Sequence, residues 1–458
     1  MLTLCDNHSR RSFLSVGSLA LGGLTLPGLL ASRANAASPI RDKSVIFLFM
    51  HGGPPQAETF DPKMTAPVGV RSVTGEVKTT LKGVTYGATL KKLAKLAHKV
   101  SVVRSFTTGS GAHDIKPIMC NETLRANMGS LYARVAGTND PATGMPKNVA
   151  LFPRAVDPER QPGNMKFGKF TATGPLGSAY APFMPGGDGK LQQNMKLNVP
   201  RTRLGDRRLL LKQLDQLRRS VDDTDALAGV DRFHEQAFDT ILGGVADAFD
   251  LSNEDPRVVA AYDTAPLVRP ENISRKWNNY NNYVDNAKTL GKLLLMARRL
   301  CESGCGFVTV TTNFVWDMHA DKNNATIDEG MRYCGIPFDH AVSAFIQDCE
   351  SRGLGEKILL VCCGEMGRTP KVNAKGGRDH WGGLAPLLLY GGGLNMGQVI
   401  GKSSKDVGEP KSTPITNRHL LTTVMQTLLD PGQVRLMSGI PTDVARIVTS
   451  GKPIPGLM

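Results

Sequence analysis

The chain has 458 residues, 41% of them hydrophobic, and its 55 Lys and Arg outnumber 41 Asp and Glu to give a formal net charge of +14. That length suffices for a large core, in one big α/β domain or two smaller ones. The charge favours anionic partners, but the basic residues are scattered and no nucleic-acid module accompanies them. A solvated basic surface is therefore expected, not a specific nucleic-acid site.

Residues 1–36 read as an export signal. Arg10-Arg11 precede an apolar stretch from Phe13 to about Leu30, broken by Gly17, Gly22, Gly23, Pro27 and Gly28, and Ala34-Asn35-Ala36 is a small-x-small cleavage site. This is the order of a twin-arginine signal. The stretch is too short and too broken for a membrane span, which takes roughly 20 apolar residues. The route carries folded, often cofactor-loaded cargo, so a periplasmic or secreted location is expected. No later stretch is long and apolar enough to span a bilayer, so an integral membrane protein is not expected. Beyond the signal, residues 37–458 are expected to form a single α/β domain with an insertion over about 140–280. Seven cysteines remain there, an odd number that argues against a full disulfide framework and leaves room for one bridge.

The first element after the signal is a continuous apolar run, residues 44–50, ending in His51-Gly52-Gly53-Pro54-Pro55. A buried strand feeding a glycine-rich loop is the pattern of a parallel sheet. A second short strand is predicted over 100–103. Residues 140–205 are rich in Gly, Pro, Asn and Met without sustained period, which predicts long loops over one face. Helical spacing follows over 204–221 and 232–249. It is stronger over 282–302, where Leu290, Leu293, Leu294, Ala297 and Leu300 share one face. The last third alternates: strand 306–312, helix 337–351, strands 357–363 and 385–390, a short strand 398–400 and helix 419–429. Such alternation predicts a doubly wound, mostly parallel sheet that joins the first strand to the last three.

In open α/β sheets, ligands bind beyond the carboxyl ends of the strands. After the first strand come His51 and then Glu58-Thr59-Phe60-Asp61. After the second come Ser105, Thr107, Thr108, Ser110, His113 and Asp114. Asp317 and His319 follow the strand at 306–312. Glu365, Met366, Arg368, Arg378, Asp379 and His380 follow the strand at 357–363. Carboxylates and neutral imidazoles hold divalent ions, and arginine forks clamp phosphate or sulfate. Each residue alone has an ordinary explanation, such as a loop hydrogen bond or a helix cap. Their coincidence at one edge points to metal-assisted ester hydrolysis.

The runs Gly52–Lys63, Trp316-Asp317-Met318-His319, Gly364–Pro370 and Gly377-Arg378-Asp379-His380-Trp381 resemble one bacterial family. It is the exported family called domain of unknown function fifteen-hundred-and-one, abundant in planctomycetes and regarded as a distant branch of the alkaline phosphatase–sulfatase superfamily. The resemblance implies an alkaline phosphatase-like α/β fold and phosphate or sulfate monoester hydrolysis at one or two divalent ions, Zn, Ca or Mg. It implies metal ligation by Asp317, His319 and His380, with Glu58 and Glu365 as further acidic positions; Asp379, beside His380, is a further candidate ligand from its place at the strand ends. From the chemistry of an arginine fork, Arg368 or Arg378 would steady the substrate anion.

The chain departs from these patterns in places. Met366 stands where the superfamily has His or Asn, and a thioether is a poor ligand for hard cations. Phe314-Val315 stand where the family usually has Gly-Gly, and Glu58 where it has Asp. No sulfatase nucleophile signature is present. His113 and Thr59 are the candidates for catalytic residues, His113 as ligand, base or nucleophile. Two expectations follow: an exported hydrolase of anionic esters, such as those of a polyanionic saccharide, or a protein of the same fold that binds without catalysing.

Overall fold

The computed structural model describes residues 38–186 and 245–458. The predicted signal, the helix expected over 204–221 and most of that over 232–249 lie outside the described residues.

Seven strands form the central sheet: β1 Ser44–Phe49, β2 Val100–Val103, β3 Asn148–Leu151, β4 Phe307–Thr311, β5 Ile358–Cys363, β6 Leu387–Gly391 and β7 Val399–Ile400. Their order is β7-β2-β6-β5-β1-β4-β3, and all are parallel except β6, which runs against both neighbours. The expectation of a mostly parallel sheet that unites the first strand with the last three holds. β3 does not follow the sequence reading, for it adds an edge strand within the stretch read as loops. Its four residues, Asn-Val-Ala-Leu, are too few to show a period among Gly- and Pro-rich neighbours.

β1 is an inner strand, between β5 and β4, and is buried on both faces, as its unbroken apolar run requires. Ile46 and Leu48 face a core built with helices α2 (Tyr280–Glu302) and α3 (Ile336–Ser351). Val45, Phe47 and Phe49 face the opposite core, closed by α1 (Met128–Ala136), α4 (Asn417–Leu428) and α5 (Thr442–Thr449). The predicted apolar stripe of α2 is the buried one: Leu290, Leu293, Leu294, Ala297 and Leu300 are all at most 3% exposed. Arg298, on the same helix, is also buried, and it joins Glu254 (2.7 Å), Glu302 (2.5 Å) and Asp348 (3.0 Å). Its charge is thereby compensated on every side, as a buried guanidinium needs.

All seven described cysteines are free and buried, so no bridge forms among the described residues. Among those residues, no helix is long and apolar enough to cross a membrane.

Register fixes where the chemistry sits. Phe49 pairs with Thr311 on one side and Cys363 on the other, so β1, β4 and β5 end level with one another. The loops that begin at Met50, Thr312 and Gly364 therefore leave the sheet side by side.

Candidate metal centre

Four side chains from three loops converge above these strand ends. His113, Asp317, His319 and His380 each offer a ligand atom, and the four atoms lie within 4.8 Å of one another. Asp317 Oδ1 is the focus. It lies 2.8 Å from His319 Nε2, 3.3 Å from His380 Nε2 and 3.7 Å from His113 Nε2. The Nε2 atoms of His319 and His380 face each other at 2.8 Å. Two imidazole nitrogens and a carboxylate oxygen this close could hold a metal ion, beside the Arg368 guanidinium that already donates to Asp317 Oδ1.

Local geometry explains how the sequence brings them together. Asp317 and His319 sit in the loop after β4, and His319 Nε2 reaches Asp317 Oδ1 within that loop at 2.8 Å. Gly52 has φ +113°, and a Cβ there would lie 2.5 Å from Asp317 N, so only glycine lets the β1 loop pass this close. Gly377 does the same against His319, where a Cβ would meet its carbonyl at 2.1 Å. His380 is carried into place by a two-residue antiparallel pairing, His380 opposite Arg368 and Trp381 opposite Gly367. Asn324 donates to Asp317 Oδ2 at 3.0 Å and fixes the carboxylate plane. Sequence reading missed Asn324; the polar run after Asp321 was its only signal.

The electrostatics follow from these contacts. Burial by itself would raise the Asp317 carboxyl, but the Arg368 charge and hydrogen bonds from His319 and His380 outweigh it and hold the group well below the usual carboxylate range. Burial would likewise lower His319, yet its bond to Asp317 raises it overall. His51, fully buried after β1, is driven the other way, down to about 4, chiefly by burial. Neither ring nitrogen of His51 has a hydrogen-bond partner, and the ring packs against Phe49, Phe170 and Phe314.

The other sequence candidates take different places. Glu365 lies beside the four but not among them: it accepts from His113 Nδ1 at 2.7 Å and from Gly52 N at 2.9 Å. Asp379 is 59% exposed and stands behind His319, 3.3 Å from its Nδ1. Glu58 is not brought to the cluster. It is fully buried and accepts from Ser72 Oγ (2.7 Å), Val73 N (3.0 Å), Thr74 N (3.1 Å), Thr74 Oγ1 (3.0 Å) and Arg378 Nη2 (3.2 Å). Thr59, also fully buried, gives its hydroxyl to Pro55 O at 3.0 Å and does not face the cluster.

Neither arginine is free to clamp a substrate. Arg378 is 1% exposed, and besides Glu58 it donates to the carbonyls of Val70, Arg71, Thr369 and Pro370. Arg368 is fully buried, donating to Asp317 Oδ1 at 2.5 Å, to Gly53 O at 2.9 Å and to Gly52 O. Met366, fully buried, packs against Gly53.

Phe314 occupies a left-handed conformation, φ +56°, which glycine would adopt without strain. A side chain there costs about 1–3 kcal/mol. Its ring is held among His51 at 4.8 Å, His113 at 4.5 Å and Phe167, stacked at 4.5 Å. A cavity of about 370 Å³, lined by His319, Asp321, Asn373, Lys375 and Asp379, adjoins the cluster.

A doubly wound α/β sheet with three imidazoles and a carboxylate gathered at its carboxyl edge defines an α/β protein with a candidate metal centre. The chain belongs to the family described as Protein of unknown function (DUF1501), which matches residues 42–455. No curated protein matches it. Solved structures similar to it include PsFucS1 sulfatase from Pseudoalteromonas sp., at 11% identity and TM-score 0.36, covering 92% of this chain and 72% of that one. The lipoteichoic acid synthase LtaP from Listeria monocytogenes is similar at 9% identity and TM-score 0.34, covering 92% and 79%. Ps i-CgsB is similar at 10% identity and TM-score 0.34, covering 90% and 79%.

Proposed function

We propose that this protein is an exported, metal-dependent hydrolase of phosphate or sulfate monoesters. The observation that carries the reading is the convergence of His113, Asp317, His319 and His380 on Asp317 Oδ1. The donor set fits a transition ion: imidazoles suit zinc and its neighbours, whereas calcium and magnesium prefer oxygen ligands. Zinc is therefore favoured over calcium or magnesium. When bound, such an ion polarises an ester oxygen and acidifies a water. The chain's own residues do the rest. Asp379 orients His319 through Nδ1, and Asn324 holds the Asp317 carboxylate. With both arginines committed to the scaffold, Lys375 is the cation that lines the adjoining cavity. A polyanionic saccharide ester is the substrate class in keeping with the net charge of the proposed mature chain, +14 for the whole sequence less +2 for residues 1–36 (Arg10, Arg11 and Arg33 against Asp6), or +12.

The test is elemental analysis of the purified protein beside turnover of aryl phosphate and aryl sulfate. Stoichiometric zinc and turnover are expected in the wild type, with both lost in His380→Ala. A protein that holds no metal, and turns over neither ester with any divalent ion added, would overturn the reading. The proposed address rests on Arg10-Arg11 and the Ala34-Asn35-Ala36 site. N-terminal sequencing of protein recovered outside the cytoplasm should begin at Ala37, and an intact Met1 there would refute it.

A second reading draws on one specific observation. Arg368 and Arg378 are both spent on backbone carbonyls and buried acids, and the hydroxyls near His113 are engaged locally, Thr107 with Gly382 O and Ser110 with Asp114. This favours a metal-binding protein of the same fold without hydrolytic activity. Bound zinc without turnover of either ester is its signature.

A further inference from the structure

We infer that Glu365 is a positioning residue for the candidate metal centre: it fixes the tautomer of His113 and so keeps the Nε2 lone pair turned towards Asp317. The inference rests on the proposed metal centre but not on hydrolysis.

A neutral imidazole carries one proton, on Nδ1 or on Nε2, and the nitrogen without it is the one that can bind a cation. His113 Nδ1 lies 2.7 Å from Glu365 Oε1, whereas Nε2 lies 3.7 Å from the nearest cluster oxygen, beyond hydrogen-bond reach. A carboxylate only accepts, so this contact places the proton on Nδ1 and leaves Nε2 bare. Glu365 itself cannot turn away. It is fully buried, and Gly52 N donates to both its oxygens, at 2.9 and 3.2 Å. One side chain thus joins the loop after β5 to the loop after β1 and to the loop that carries His113.

The ring has little freedom to respond otherwise. Phe314 lies at 4.5 Å and His380 at 4.3 Å, both edge to face, with Phe167 at 5.5 Å. Rotation would drive the ring into these neighbours, so the hydrogen bond decides which nitrogen faces the centre. Metal-bound histidines commonly give their second nitrogen to a carboxylate in this way, and removing that partner typically weakens metal binding 10–100-fold. Sequence position suggested Glu365 as a direct ligand; its contacts put it one bond further out.

The experiment uses full-length protein with ¹⁵N-labelled histidine, stripped of metal. Long-range ¹H–¹⁵N spectra, with the His113 signals assigned by difference against His113→Ala, should show the Nδ1–H tautomer in the wild type. Glu365→Ala should give a mixture or the Nε2–H form, and its zinc affinity, measured by chelator competition, should fall about 10–100-fold. Glu365→Gln, whose amide oxygen can still accept, should keep the tautomer and lose less affinity. An Nε2–H tautomer in the wild type overturns the inference, and this arm needs no variant to fold. So does Glu365→Ala with unchanged tautomer and affinity. Ester turnover enters neither arm, so a protein that binds zinc but hydrolyses nothing would sink the proposed activity and leave this inference standing.

Discussion

Replacing Glu58 by alanine is expected to cost about 3–5 kcal/mol of folding stability while leaving zinc affinity unchanged. The carboxylate is the only acid that the described contacts set against Arg378, and both side chains are at most 1% exposed. Burial pushes the Arg378 guanidinium down from its usual range, partly offset by the Glu58 charge. Without Glu58 that cation would be buried against carbonyls alone. The Ser72 and Thr74 hydroxyls and the amides of residues 73 and 74 would lose their acceptor as well. Urea unfolding of wild type and variant measures the first part, and zinc titration the second. Loss of zinc with stability intact would return Glu58 to the metal centre.

Acid should destabilise the protein through His51. Its folded pKa, about 4, lies below the ordinary 6.5 because burial disfavours the charged ring. The unfolded chain therefore takes up a proton between pH 6.5 and 4 that the folded chain refuses. The contribution is complete above pH 6.5 and is lost as pH falls through about 4, a total of about 3 kcal/mol. His51→Phe puts an apolar ring in the same aromatic setting, formed by Phe49, Phe170 and Phe314. It should remove that part of the pH dependence, with at most about 1–3 kcal/mol of overpacking cost at pH 7. Unfolding free energies of both proteins at pH 4.5 and 7.5 decide it. An equal fall in both would show that the acid sensitivity lies elsewhere.

The sheet was legible where hydrophobic runs were long or alternated with helical stripes. β1, β4, β5 and α2 needed only their own residues to declare themselves. β3 was hidden because four residues carry no period, and α1 because it lies in a stretch where short loops surround it. At the centre, Asp317, His319 and His380 were readable because a strand end and a motif coincide. The arginines and Glu58 misled for a physical reason. Sequence reports which charges are available, whereas burial decides whether a charge faces substrate or faces another charge. Arg368 and Arg378 resemble an anion clamp in the sequence, yet backbone carbonyls of neighbouring loops already occupy their donors. Of those partners, Gly53, Val70 and Arg71 are far away in the chain, and no local pattern announces them.

Arg368 carries one more consequence. Its guanidinium rests on Asp317, so the acid at the heart of the cluster has a permanent counter-ion supplied by the chain itself. Many small metal sites exist only when occupied, because their ligands repel one another or stay solvated until the ion arrives. Here the scaffold can close first. If the proposed ion binds, folding and loading are then two separable events, and the ion could be exchanged by a finished molecule without undoing the architecture that receives it.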